Sequence, residues 1–270
     1  MTPARTVVLI PYFNDSVGLT ESLASFGAAE VCDVLVVDDG SEDDPADEVT
    51  ASGAFAAQGS VRVLRLPRNE GIECALNTGL NVIAGQDYEF IARLDCGDRN
   101  IPDRIARQEA FLDAHPDVLL LGGAAEFVDP ATGQGFVLRH PVDHDEIVAT
   151  MRRNSAFVHP SVMFRKSALE LVGRYPTDTP AAEDYAFFWR FLRAGRVANL
   201  SEVLVTYELN PSGISLSRRR RQLDSRLAVQ RANDDGTWQA RAGRARTLIL
   251  RSFPYGPVYR AKRMFFPEGR

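Results

Sequence analysis

Short, unbroken apolar runs alternate along the chain with longer stretches whose apolar residues recur at helical spacing. Val7-Val8-Leu9-Ile10 runs through Pro11-Tyr12-Phe13-Asn14 into a polar loop, and Val34-Leu35-Val36-Val37 stops at Asp38-Asp39-Gly40-Ser41. Val61 to Leu66 and Tyr88 to Leu94 repeat the pattern. Apolar runs this short, bounded by turn residues, predict strands buried on both faces. Between them Leu19 to Phe26 has the spacing of a helix, and Asn69-Glu70-Gly71 opens another that reaches Leu80. The alternation predicts βα units and a parallel sheet, and such a sheet binds ligands beyond the carboxyl ends of its strands. Downstream the pattern predicts a helix from Ile101 to Ala114, a strand from Val118 to Leu121 and a strand-like pair between Glu126 and Arg139. An aromatic-rich helix from Ala182 to Ala194 and a last strand from Val203 to Tyr207 follow. Beyond Ser217 the chain reads as helical and arginine-rich, with a break near Pro254-Tyr255-Gly256-Pro257.

The polar ends of these runs carry the candidate chemistry. Phe90-Ile91-Ala92-Arg93-Leu94-Asp95-Cys96-Gly97-Asp98 ends an apolar run in two carboxylates, and Ile101-Pro102-Asp103-Arg104 then turns into a helix. Carboxylates at a strand end are hard oxygen ligands, suited to Mg²⁺ or Mn²⁺ and, through the ion, to phosphates. Asp38 and Asp39 close the second run, where a carboxylate can accept from a base N3–H or a ribose hydroxyl. An Asx-turn with Gly40 at positive φ accounts for the same residues. Asn69 reads first as a helix N-cap. Glu183 and Asp184 open the aromatic helix, either as partners of its N-terminal dipole or as a general base at the edge of a cleft. Phe187, Phe188, Trp189 and Phe191 read as core. His159 sits in the loop His159-Pro160-Ser161, where a structural histidine is commoner than a site-lining one. His140 and His144 have i,i+4 spacing, but Pro141 between them argues against a helical metal pair. Arg218 to Arg221 suit a diphosphate, which guanidinium groups grip bidentately, or a solvated helix face.

Composition narrows the class. The 270 residues are 45% hydrophobic and 25% charged, as in an ordinary soluble globular protein. The net charge of −5 combines an acidic body with a basic tail from Ser215 onward. That distribution argues against a general nucleic-acid binder and leaves room for a local phosphate or anionic membrane contact. Cys32, Cys74 and Cys96 are widely spaced with no C-x-x-C, which favours a reducing compartment and no zinc site. The apolar run at Val7 is too short for a signal peptide, and no run approaches the roughly 18 residues of a membrane span. The expected location is therefore cytoplasmic. Neither G-x-G-x-x-G nor G-x-x-x-x-G-K-[ST] occurs, which weighs against dinucleotide oxidoreductases and P-loop enzymes.

Taken in order, VLIPYFN, VLVVDDGSED, RNEGIECALNTGL, FIARLDCGDRNIPDRIARQ, VHPSVMFRKSAL and AEDYAFFWRFLRAG resemble glycosyltransferase family 2. These are inverting nucleotide-sugar transferases of the GT-A fold, and the matching pieces run from Val8 to Gly195. The resemblance implies an α/β, Rossmann-like, mostly parallel central sheet flanked by helices. It places a GT-A domain over residues 1–215 and a basic helical C-terminal extension over residues 216–270. It implies that Pro11, Asp38, Asp39, Asn69, Gly71, Arg93 and Asp95 bind the donor nucleotide. It further implies that Asp95 and Asp98 hold a divalent Mg²⁺ or Mn²⁺, that Asp184 with Glu183 beside it is the catalytic base, and that His159 lies on the acceptor side.

Two departures from the family pattern stand out. The family usually reads L-D-A-D-D where this chain has Leu94-Asp95-Cys96-Gly97-Asp98, so Gly97 replaces the middle acid. Tyr207-Glu208-Leu209-Asn210 stands where many members carry Arg and His, which turns attention to Arg218, Arg219, Arg220 and Arg221 as diphosphate contacts.

The implied reaction is inverting transfer of a hexosyl or deoxyhexosyl group from a UDP or dTDP sugar to a saccharide or lipid-linked acceptor. Surface polysaccharide or glycolipid synthesis is the implied setting. The interleaved basic and aromatic residues of the tail, from Thr247 to Phe266, suggest peripheral contact with the inner face of a membrane. Packing of that tail on the body or on a second subunit of a homodimer is the competing expectation. A sugar-phosphate nucleotidyltransferase and a non-catalytic nucleotide-binding relative remain as alternatives, the first weakened by the lack of a glycine-rich basic loop after the first strand.

Overall fold

The structure is a computed structural model and describes residues 3–129, 132–208 and 219–252. Strands β1 (Thr6–Tyr12), β2 (Asp33–Asp38), β3 (Val61–Arg65) and β4 (Phe90–Arg93) pair in parallel in the order β3-β2-β1-β4. Helices α1 (Ser16–Ala24), α2 (Glu48–Ala54) and α3 (Ile72–Ala84) connect them. The unbroken apolar runs follow from burial of both faces. Val7 and Leu9 pack with Leu35, Val37, Ile91 and the α3 residues Leu76 and Leu80. Val8 and Ile10 point the other way, into a second core with Val34, Val36, Ala92, Leu19 and Leu23. Because β2 lies on one side of β1 and β4 on the other, the connections diverge there and leave a crevice beyond the carboxyl ends of β1 and β4.

The second half continues through β5 (Arg99–Asn100), α4 (Arg104–Ala114), β6 (Val118–Val128), β7 (Gly135–Leu138), α5 (His144–Met151), β8 (Met163–Arg165), α6 (Leu169–Val172), α7 (Glu183–Ala194) and β9 (Arg196–Glu208). The sheet extends as β4-β8-β6-β9-β5 and turns mixed, with β8 antiparallel to β4 and β6 while β6 and β9 run parallel. The strand-like pair expected around Glu126 is the β6–β7 hairpin, with Glu126 opposite Val137.

Four local expectations change. β9 starts at Arg196 rather than Val203, because Arg196 to Asn199 also pair with β6 before a bulge. Helices α2 and α5 and strand β8 carry too few periodic apolar residues to stand out in sequence. The helix from Ile101 begins at Arg104, since Arg99–Asn100 first pairs with β9. Asn69 does not cap α3; Gly71 holds the cap position with φ 98°, and no side chain caps the helix.

Phe187, Phe188 and Phe191 of α7 are fully buried core residues. The C-terminal helices α8 (Arg219–Ala232) and α9 (Trp238–Ser252) pack on each other, and α8 packs on α7. Gln230 donates to the Arg153 carbonyl at 3.3 Å, Arg152 pairs with Asp235 at 2.6 Å, and Arg193 donates to the Ala232 carbonyl at 3.0 Å. The described part of the basic tail is thus built onto the body. The expected break at Pro254, the aromatic residues beyond it and Arg218 lie outside the described residues. Among the described residues no helix is long and apolar enough to cross a membrane.

Candidate active site

The crevice is lined first by the loop after β2. Asp38 is fully buried, and its carboxylate accepts from the backbone N–H of Ser41 at 2.8 Å and of Ala46 at 3.0 Å. It therefore shapes the loop. Asp39 is also buried, and its two oxygens accept from the N–H groups of Glu70 at 2.8 Å and Gly71 at 2.9 Å. The carboxylate ties the β2 loop to the start of α3. Gly40 permits this approach: its φ is 68°, and a Cβ there would lie 2.2 Å from the Arg68 carbonyl carbon. Burial raises the Asp39 pKa, against the two N–H groups that stabilise its charge. Pro11 sits between these loops in β1, opposite Val37, and Asn69 is exposed in the loop before α3.

β4 delivers the second group. The Arg93 guanidinium is fully buried and donates to the carbonyls of Leu9 and Leu94, to Asp95 Oδ1 at 2.5 Å, and from Nε to His159 Nε2 at 3.4 Å. The Asp95 side chain stays 28% exposed. The Asp98 N–H closes back onto the Asp95 carbonyl at 3.1 Å with Gly97 at φ 92°, as position i+2 of a type II turn requires. This gives Gly97 a backbone reason for standing where the family usually has an acid. Asp98 is only 4% exposed; Oδ1 accepts from the Glu208 N–H at 3.3 Å, and Oδ2 has no partner. Burial first, and then the Asp95 carboxylate, push its pKa well above the ordinary carboxylate range.

An orphaned buried oxygen beside a partly exposed carboxylate fits a hard cation. Among the described residues no three or more His, Cys, Asp or Glu side chains converge to hold an ion. The chain therefore offers two carboxylates, and the rest of an octahedral shell would fall to phosphate oxygens and water.

His159 is coupled to the same strand end. Since Arg93 can only donate, His159 Nε2 is an acceptor, and the Tyr175 hydroxyl 2.8 Å away donates to it as well. Burial, and then the Arg93 charge, hold the imidazole at a pKa of about 3. His159 is a neutral partner and cannot serve as a proton store near neutral pH.

The third group stands at the N-terminus of α7. Glu183 is 7% exposed with Oε2 unpartnered, and burial followed by the Asp184 charge pushes its pKa up to about 8. Asp184 is partly exposed, and its Oδ1 accepts from the Tyr185 N–H at 2.6 Å. Burial raises its pKa too, but that N–H and the Arg226 charge oppose the rise. Both carboxyls of the pair are thus pushed toward the protonated form, and Asp184 has the Tyr185 N–H and Arg226 to oppose it. Two adjacent carboxyl groups in unlike surroundings can take different roles, one of them as base.

These groups lie within electrostatic reach of one another. Asp184 feels the charge of Asp95, Glu183 feels Glu73 and Asp95, and Asp39 feels Glu70 and Glu73. The Tyr207 hydroxyl is raised by burial and by Asp95, Asp98 and Asp184 together. Of the described residues in the arginine run, Arg219 donates to the Leu250 carbonyl at 3.0 Å, and Arg220 and Arg221 are exposed at the start of α8. Sequence reasoning missed Tyr175 and Arg226. Neither belongs to a motif, and only the fold brings them to the acids.

Comparison with known proteins agrees with this architecture. The family described as "Glycosyl transferase family 2" matches residues 7–173. An uncharacterized glycosyltransferase of Haemophilus influenzae is 32% identical over 62% of this chain and 60% of its own length. The amylovoran biosynthesis glycosyltransferase AmsE of Erwinia amylovora is 29% identical over 63% of this chain and 62% of its own. The chain thus spans about three fifths of these two relatives. The UDP-Gal:alpha-D-GlcNAc-diphosphoundecaprenol beta-1,3-galactosyltransferase of Escherichia coli is 27% identical over 76% of this chain and 74% of its own. Among solved structures, S. aureus TarS 1–349 in complex with UDP-GlcNAc superposes with a TM-score of 0.62 at 19% identity, over 90% of this chain and 69% of that one. The mannosyltransferase PcManGT from Pyrobaculum calidifontis, in complex with GDP-Man and Mn²⁺, reaches 0.62 at 17% identity, over 98% and 81%. With the parallel half-sheet, the crevice at its carboxyl edge and the acids gathered there, the match over residues 7–173 places this chain in glycosyltransferase family 2.

Proposed function

We propose that the protein transfers a sugar, with inversion at the anomeric carbon, from a nucleotide diphosphate to an acceptor hydroxyl. The observation that carries this reading is that the Asp95 charge reaches both the orphaned Asp98 carboxylate and the Glu183–Asp184 pair, while Tyr207 feels Asp95, Asp98 and Asp184 together. Asp184 takes the proton of the acceptor hydroxyl while its oxygen bonds to the anomeric carbon. The bond from that carbon to the diphosphate breaks, and its electron pair leaves on the β-phosphate. Glu183, holding its own proton, keeps a second negative charge away from the developing alkoxide. Asp39 accepts from the N3–H of the base or from a ribose hydroxyl, which suits UDP and dTDP alike. Asp95 and Asp98 would hold Mg²⁺ or Mn²⁺, which when bound offsets charge on the leaving diphosphate. A positioned base supplies about 10²–10⁴-fold in rate, and alignment and charge stabilisation supply the rest.

Relatives and the tail both support a saccharide or lipid-linked acceptor. The Escherichia coli relative is named for a diphosphoundecaprenol acceptor and the Erwinia relative for a polysaccharide. Helix α9 leaves Trp238, Leu248 and Ile249 exposed beside Arg241, Arg246 and Arg251. A face of that composition suits an anionic membrane surface, where a lipid-linked acceptor would lie. We therefore favour a peripheral enzyme of surface polysaccharide or glycolipid synthesis.

A panel of UDP and dTDP sugars, offered with a lipid-linked saccharide and Mn²⁺, tests the reaction by its products. Free nucleoside diphosphate with a lengthened acceptor is expected. Pyrophosphate as the product would mark nucleotidyl transfer instead, and donor binding without either product would mark a non-catalytic relative.

A further inference from the structure

Gly135, Phe136 and Val137 of β7 are exposed, and Phe136 keeps 43% of its surface open. The strand register sets Phe136 opposite Phe127 of β6, and Phe127 beside Tyr207 of β9. Their rings meet across the strands, as side chains on one face of neighbouring strands do. Phe136 stacks on Phe127 with centroids 5.1 Å apart and planes 5° apart, and Phe127 meets Tyr207 at 4.7 Å and 33°. Phe127 and Tyr207 are half-buried, so three rings in line lead inward from an exposed end. The inner end lies at the candidate site, because the N–H of Glu208, next after Tyr207, donates to Asp98 Oδ1 at 3.3 Å. A single exposed apolar side chain is ordinary. A line of rings running from the surface to the strand-end acids is a different feature, and packing alone gives no reason for its outer half.

We propose that this line is a subsite for an oligosaccharide acceptor: Phe136, held in plane by Phe127, stacks on a sugar unit behind the reacting one, and Tyr207 contacts the reacting unit. A pyranose presents a face of C–H groups, whose weakly positive hydrogens suit the negative face of an aromatic ring. Its hydroxyls stay at the edge, where the Tyr207 hydroxyl can donate to or accept from them. The place in the sheet also fits. If Asp39 after β2 holds the nucleotide, the acceptor enters from the other side, and β1, β4 and β8 separate β2 from the β6–β9 pair. Phe136 stands two rings out from the acids, so it can reach only an acceptor longer than a monosaccharide. The line is one ring wide and ends on a phenol beside carboxylates. That surface matches alternating C–H faces and hydroxyls better than it matches a prenyl chain.

The inference rests on the glycosyl-transfer reading, and the test separates the two. Saturation-transfer NMR of the full chain with UDP and Mn²⁺ reads sugar contact without turnover. The probes are N-acetylglucosamine, N,N′-diacetylchitobiose, lactose and maltotriose. Contact with at least one of the oligosaccharides is expected, and weaker contact with the monosaccharide. Phe136→Ala should weaken the oligosaccharide contact roughly three- to tenfold, the scale of one aromatic pair, and Phe136→Trp should restore it. Melting curves check that each variant is folded. In turnover with the active donor, Phe136→Ala should raise the acceptor KM by a similar factor with little change in kcat, as loss of uniform binding does. No contact with any probe, or equal contact in folded Phe136→Ala, overturns the subsite even if the protein transfers sugar. A KM increase confined to acceptors with a long prenyl chain would assign the rings to lipid. A change from dimer to monomer on sedimentation of Phe136→Ala would assign them to a second copy of the chain, and either result overturns the proposal. Contact that depends on Phe136, with no nucleotide sugar turned over, would uphold the sugar platform while the transfer reading fails.

Discussion

Asp38 at the end of β2 and Asp98 beyond the end of β4 are buried to nearly the same degree, yet their oxygens are treated differently. Both oxygens of Asp38 receive backbone N–H groups within its own loop, whereas Asp98 Oδ2 receives nothing. The same contrast separates Asp39, tied to two N–H groups, from Glu183, whose Oε2 is unpartnered. A buried carboxylate whose two oxygens each receive a backbone N–H holds its loop whether or not ligand is present, with acceptor capacity left over. A buried carboxylate left short costs stability, and that cost is recovered only by a proton, a cation or a substrate group. The β2 edge of the cleft is therefore already formed, while the β4–α7 edge is incomplete without its ligands.

Breaking the incomplete edge should have the largest effect. Asp184→Asn keeps the shape and removes the base, so turnover should fall by about 10²-fold or more while donor affinity measured by calorimetry barely changes. An active variant would remove Asp184 from the chemistry, and a folded variant unable to bind donor would move it to a binding role.

The next effect concerns pH. In the folded chain Glu183 keeps its proton up to about 8, whereas in the unfolded chain it ionises near its ordinary 4.5. Between those values the folded state binds more protons, so stability should fall as pH rises through that window. Melting curves of wild type and Glu183→Gln from pH 5 to pH 9 should diverge, with the variant the more stable at the alkaline end by up to a few kcal/mol. Parallel curves would show that burial of Glu183 has been overstated.

How much of this was legible in sequence follows the same division. The parallel half of the sheet was readable because strands buried on both faces give unbroken apolar runs, as Val7 to Ile10 and Val34 to Val37 do. The acids at the strand ends were readable as acids, since turn residues and carboxylates end those runs abruptly. Which of them the backbone satisfies was not readable. Asp38 and Asp39 are adjacent, yet one bonds within its loop and the other reaches residues 70 and 71. Strand β8, three residues long, and the mixed order of the second half depend on pairings between distant segments. Tyr175 and Arg226 reach the site only through those pairings and the docking of α8. Asn69 was misassigned as a cap because its residue type fits that role, while the chain places Gly71 there at φ 98°.

The formed edge should respond more mildly. Asp39→Ala removes an acceptor for the donor and also releases the N–H groups of Glu70 and Gly71. Affinity for UDP and for dTDP should fall about tenfold, a little over 1 kcal/mol, with or without Mn²⁺, in line with loss of one hydrogen bond to a charged group. A drop seen only with metal present would transfer Asp39 from base or ribose recognition to the diphosphate. Unchanged affinity for both nucleotides would reduce it to the loop tie already visible.

The smallest change tests the boundary between the two edges. Gly97 stands where the family usually has an acid, so Gly97→Asp restores a carboxylate beside Asp98. Space is not the obstacle, because a Cβ there would meet only Asp15 Oδ2, at 3.8 Å. Two other terms oppose the substitution. At φ 92° an L-residue is strained, at a cost of about 1–2 kcal/mol. The new side chain would also begin next to the Asp15 carboxylate and close to Asp95, raising the local negative charge. If the glycine is there for the turn, Gly97→Asp should lower the melting temperature, and so should the uncharged Gly97→Asn, though less. Metal affinity without nucleotide should stay weak in both, because the strained turn is what sets Asp98 after Asp95. Metal titrations with and without UDP decide the matter. Tighter Mn²⁺ binding by free Gly97→Asp would mean that the site lacks a ligand rather than a turn, and the incomplete edge would then be short of protein carboxylates instead of waiting for the donor's phosphates.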